Sequence, residues 1–350
     1  MTTGGGADRP GGPRLPGPRG YLSDKVISWL RTGAGPLPGR EEVQHTSPYG
    51  GDLQLALYVL YELHYQGFDG VDEDREWSPA LLSVRRHLEQ AFLQALRADV
   101  PELGAQEAMA GLLTEPSGDD GSISHYLARE GRLWQLREYA ALRSLYHLKE
   151  ADPHAWVLPR LRGRAKAGMA AIEFDEFGAG RAEDIHAQLF ADLMADLALD
   201  TSYGHYVDVA PAETLALVNL MSLLGLHRSL RGALVGHFAT VEVTSSPASR
   251  RLAEAMRRTG AGPAAERFYD EHVEADAVHE QIVRREVVQG LLKDEPDLEP
   301  DVAFGIGATG HLESRLTRHL LAAWREEHSA LPVPLPLVVS GRREPESGRV

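Results

Sequence analysis

Residues 269–288, YDEHVEADAVHEQIVRREVV, place His272, Asp276 and His279 at positions i, i+4 and i+7. At about 100° per residue these side chains leave one stripe of a single helix, so the segment reads as a helix with a tridentate face. Imidazole and carboxylate together suit iron, manganese or zinc, and in helical bundles such ligands project inward from facing helices. Asp270, Glu271, Glu274 and Glu280 flank the stripe, and acid-rich helix faces are usually solvated. This helix taken alone leaves the metal and the surface readings open.

Upstream, IEFDEFGAGRAEDIHAQLFADLMADL (172–197) sets Glu173, Asp175 and Glu176 ahead of His186. His186 lies beside an apolar stripe of Ile185, Leu189, Phe190, Leu193 and Met194, where a histidine is more often a hydrogen-bonded core residue than a ligand. Gly178 and Gly180 separate carboxylate from imidazole, and a local bulge there would turn Glu176 toward the His186 face. Between these segments, LVGHFATVEVTSSP (234–247) carries Glu242 amid Val235, Phe238, Val241 and Val243. A glutamate in such a run is rarely buried unless it is paired or bound to a cation. The alternative for Glu242 is a partner in a core arginine or in His237.

Taken in order, these residues resemble the heme-oxygenase-like diiron oxidases, the iron-containing redox enzymes. That family's pattern is a Glu and a His separated by nine residues on one core helix, a lone Glu on the next, and His-x3-Asp-x2-His on a third. Glu176 and His186 match the first element, Glu242 the second, and His272, Asp276 and His279 the third. The resemblance spans about residues 150–330. It implies a seven-helix bundle of the heme oxygenase and thiaminase type, without heme. It further implies these six residues as metal ligands, two Fe(II) ions as cofactor, and dioxygen as co-substrate. A bridging carboxylate, Glu242, would hold the metals together. The implied reaction is oxidation of a small molecule by N-oxygenation, desaturation or oxidative C–C cleavage. A metal-free thiaminase-like or small-molecule-binding member of the same fold is the alternative. A ferritin-like iron protein would show paired Glu-x-x-His motifs among its ligands, and the six residues above contain none.

The rest of the chain agrees with an all-α fold. Its 350 residues are 43% apolar, enough for a large core. Leu/Ala-rich helical periodicity predominates and β-branched alternation is scarce. Helices are expected over about 22–31, 52–67, 78–98, 104–114, 122–130, 133–149, 162–199 with a break near Gly178, 211–228, 231–259, 263–293 and 308–328. Pro247 should kink or split the helix 231–259. The expected organisation is a Gly/Pro-rich disordered tail over 1–20, an N-terminal helical region over 21–150, the bundle over 151–330 and a tail over 331–350.

A net charge of −15 with dispersed Lys and Arg offers no basic stripe to nucleic acid. With no cysteine, thiolate zinc, iron–sulfur clusters and cysteine nucleophiles are excluded, so any metal is held by His and carboxylate. Neither a signal peptide nor an apolar run of about 18 residues is seen, which points to a cytoplasmic protein without a membrane partner. A homodimer and an external reductant are left open. The glycines of GIGATG (305–310) follow no strand and are not a phosphate loop. Glu62 and His64, two apart, diverge by about 200° on a helix and read as structural. Tyr146, His147, Lys149, His154 and Trp156, in LRSLYHLKEADPHAW (142–156), read as interhelical packing and capping.

Overall fold

Leucine and alanine at helical spacing produce helices throughout, and a computed structural model describes them for residues 12–113 and 122–336. Among the described residues there is no strand. The α-helices run α1 Tyr21–Thr32, α2 Arg40–Gln44, α3 Gly51–Glu62, α4 Pro79–Asp99, α5 Ala105–Leu112, α6 Ile123–Arg129, α7 Leu133–His147, α8 Asp152–Ala155, α9 Gly163–Glu176, α10 His186–Asp196, α11 Ala212–Leu226, α12 Arg231–Thr259, α13 Pro263–Ile282, α14 Gln289–Asp294 and α15 Glu299–Arg325. A π-helical turn, Val283–Val288, joins α13 to α14.

α11 is apolar on all sides, and its residues from Thr214 to Gly225 are buried, as befits a helix enclosed by others. α12 packs along α13 and α15, α10 packs on α13, and α9 packs on the π turn. The N-terminal helices join the same body, with α3 on α11, α5 on α15 and α6 on α12.

Three local expectations are corrected, the first two by packing. α12 runs unbroken through Pro247, because contacts with α13 and α15 along its length outweigh one lost backbone bond. α15 begins at Glu299 rather than near 308. The glycines of GIGATG lie inside it, and Gly305 and Gly307 allow close approach of neighbouring segments. A Cβ on Gly305 would fall 1.9 Å from Ala233 O, and one on Gly236 would fall 2.0 Å from Val302 O. Here backbone contact between helices overrides the poor helix propensity of glycine. α3 ends at Glu62 instead of continuing to 67, and residues 63–66 form turns.

Of the tail expected over 1–20, residues 12–20 lie against the body. Pro16 is buried, Gly17 N donates to Asp208 Oδ1 at 2.8 Å, and Arg19 donates to Val207 O at 2.7 Å. Residues 1–11 lie outside the described ones. At the other end Leu331 is buried and Arg137 donates to Pro336 O at 2.6 Å, while 337–350 lie outside.

Candidate metal centre

α9 ends on Glu176, and the chain then reverses through two short 3-10 turns before α10 starts on His186. The reversal requires Gly178: its φ is +72°, and a Cβ there would lie 2.6 Å from Ile185 N. The proximity of Glu176 and His186 thus comes from a tight loop between two helices rather than from a bulge within one. Glu176 Oε2 lies 2.8 Å from His186 Nδ1. α12 brings Glu242 from a second direction, and α13 brings His272, Asp276 and His279 from a third.

All six sequence-derived residues meet, and Glu150 joins them. Glu150, His186 and His272 form one group whose ligand atoms lie within 4.8 Å of one another, and Glu176, Glu242, Asp276 and His279 form a second, equally tight. Every member is buried. Glu176 connects the groups, since Oε2 faces His186 and Oε1 lies 3.6 Å from His279 Nδ1. Glu242 Oε2 lies 3.2 Å from His279 Nδ1 and belongs to the second group alone. The carboxylate placed between the groups is therefore Glu176, where the sequence suggested Glu242.

Hydrogen bonds on the outer ring nitrogens aim the inner ones. His272 Nδ1 donates to Phe268 O at 2.7 Å, which leaves Nε2 facing the centre. His279 Nε2 donates to Asp175 Oδ2 at 3.3 Å, which leaves Nδ1 facing inward. Outer-shell acceptors of this kind fix the tautomer of a metal-binding histidine. Glu150 Oε1 accepts from His147 Nδ1 at 2.8 Å, and His147 stacks on Phe190 with ring centroids 4.6 Å apart.

The inward atoms are close without satisfying one another. Glu150 Oε2, His186 Nδ1, Glu242 Oε2, His272 Nε2, Asp276 Oδ2 and His279 Nδ1 are buried and make no aligned hydrogen bond. The 2.8 Å approach of His186 to Glu176 is within reach but out of line, so these atoms point at shared positions rather than at each other. Orphaned buried polar atoms are rare in folded proteins, and a cation between them would supply what is missing.

The electrostatics agree. Burial pushes the Glu242 carboxyl up to about 8, with Glu176 and Asp276 adding to the shift against His279. Burial opposes charge on His279 and His272, but acidic neighbours outweigh it. Asp276 and Glu242 bring His279 to about 11, and Glu150 brings His272 to about 10. Without a cation the site therefore retains protons that a metal would displace. Burial likewise opposes the Glu150 charge, yet His147 and His272 hold its carboxyl well below the usual range. One turn before Glu176, Glu173 is buried with both oxygens unpartnered. Burial first, then Glu176 and Glu242, push it up to about 9.

A narrow cavity adjoins both groups, walled on the far side by Tyr146, His154, Phe238, Val241 and Ser245. Burial holds His154 down to about 4, so it is a neutral hydrogen-bonding group there. The segment 142–156, expected as packing and capping, thus also contributes Glu150, Tyr146 and His154 to the centre. Glu150 lacked a helical partner in the sequence, and only its burial beside two imidazoles reveals it. Glu62 and His64 lie outside both groups: Glu62 pairs with Lys149, and His64 Nδ1 pairs with Glu76 at 2.8 Å.

No curated protein matches the chain. The family model described as iron-containing redox enzyme matches residues 137–314, a span of half the chain that holds all seven residues of the two groups. With an all-helical, heme-oxygenase-like architecture around them, the chain belongs to the iron-containing redox enzyme family.

Proposed function

We propose that the chain is a non-heme diiron oxidase or oxygenase that uses dioxygen to oxidise a small molecule in the cavity beside the two groups. The observation that carries this reading is the pair of adjoining His/carboxylate groups joined by Glu176. Glu150, His186 and His272 would hold one Fe(II), Glu242, Asp276 and His279 the other, and Glu176 would bridge them. Four carboxylates offset the charge of two Fe(II) ions. When bound, the irons supply the electrons and open coordination positions that dioxygen needs.

The chain's own residues set the conditions. Phe268 O and Asp175 orient His272 and His279. Glu173, kept protonated by burial, holds a proton at its carboxyl near Glu176 and Glu242. Phe238 and Val241 give the cavity an apolar wall, while Tyr146 and His154 would offer polar atoms to a substrate. The oxidation is an N-oxygenation, a desaturation or an oxidative C–C cleavage, carried out in the cytoplasm. Among the described residues no helix is long and apolar enough to cross a membrane.

Anaerobic Fe(II) titration followed by oxygen exposure, monitored by absorption and Mössbauer spectroscopy, tests the proposal. Two irons per chain and an oxygen-dependent chromophore are expected. Failure to bind iron after reconstitution favours the metal-free alternative.

A further inference from the structure

Glu150 lies past the end of α7, in a turn that no long helix fixes. The next residue, Ala151, has φ 74° and ψ −38°, a conformation that side chains other than glycine adopt only where the surroundings impose it. The preceding residue, Lys149, is held from outside the matched family segment. Its Nζ is 2.8 Å from Glu62 Oε2, with the two side chains 2% and 1% exposed. The ammonium also lies 3.9 Å from the centroid of the Tyr65 ring. The Tyr203 hydroxyl donates to the other Glu62 oxygen.

Glu62 closes α3, and that end of the helix is itself pinned to the bundle. Tyr65 stacks on Trp156 with centroids 4.9 Å apart, and its hydroxyl lies 2.9 Å from Ser222 Oγ. A desolvated ammonium is tolerated only where a carboxylate and ring faces compensate it. The pocket of Glu62 and Tyr65 therefore fixes where Lys149 sits, and with it the residue that follows.

We propose that Glu62 and Lys149 are positioning residues for Glu150. The N-terminal helical region, through Glu62, completes the three-residue group, whereas the four-residue group forms without it. This rests on reading the centre as a metal site.

Removing Glu62 alone would strand a buried ammonium, so the test uses the double variant Glu62→Gln/Lys149→Met, which removes both charges, and the milder Tyr203→Phe. Stepwise Fe(II) affinity is measured anaerobically on the full chain. Hydrogen exchange of residues 147–152 is measured without metal. In the folded double variant one metal should bind as in the wild type and the other at least tenfold more weakly, with faster exchange across the turn. Tyr203→Phe should shift both readouts the same way by a smaller factor. A purely structural pair would weaken both metals together, and that result overturns the proposal, as does unchanged affinity with unchanged exchange. Should the double variant not fold, Tyr203→Phe decides alone. A wild-type chain that binds no metal defeats the reading of the centre, and exchange still judges the positioning of the turn.

Discussion

The two groups of the centre draw on different kinds of structure. Glu176, Glu242, Asp276 and His279 stand on α9, α12 and α13, with α13 packed on both of the others. In the other group, His272 stands on α13 and His186 opens α10, but Glu150 stands on the turn after α7, beside a strained Ala151. A helix fixes the direction of its side chains through its own hydrogen bonds, while a turn needs outside contacts to do so. The four-residue group should therefore be the more robust, and variants that separate the groups measure the difference.

The largest effect is expected at the residue they share. Glu176→Ala should cost both metals, with iron per chain falling from two to below one while circular dichroism stays helical. Loss of only one equivalent would show that Glu176 does not bridge. Next come residues of one group alone: Glu242→Ala or His279→Ala should abolish the oxygen-dependent chromophore and leave about one iron. A retained chromophore in either variant removes that residue from the centre.

Orienting partners should matter less, by about 10–100-fold in affinity. His147→Ala should weaken the three-residue group, and Asp175→Ala the four-residue group. Stepwise titration that shows the opposite assignment would break the division drawn here.

Proton competition should act on both groups. Glu242 at about 8, His279 at about 11 and His272 at about 10 all lie above neutral pH, so metal binding near pH 7 must release their protons. Affinity should therefore rise with pH, by about tenfold per unit for each proton displaced. His186, in the three-residue group, is likewise raised because Glu176 outweighs its burial, so both groups should show this pH dependence. An affinity flat between about pH 6 and 8 would contradict the electrostatics. The smallest effect is expected at His64, which faces Glu76 and not the centre. His64→Ala should leave iron stoichiometry unchanged.

The sequence by itself determined the fold class and, through the family resemblance it carries, six of the seven residues that converge. Helical periodicity is local, and a face such as His272, Asp276 and His279 follows from residue spacing alone. The lone Glu242 was legible because a charge in an apolar run demands a partner. Only the tertiary structure decided the rest. It added Glu150, whose direction is set by a turn and by contacts from α3, a helix far away in the sequence. It placed Glu176 between the groups, because α13 packs on both α9 and α10 and brings His279 to the end of α9, where the loop through Gly178 has brought His186. It carried α12 through Pro247 and α15 through its glycines, since packing between helices outweighs the propensity of single residues. Each of these depends on contacts between segments distant in sequence, and residue spacing along one segment carries no record of them.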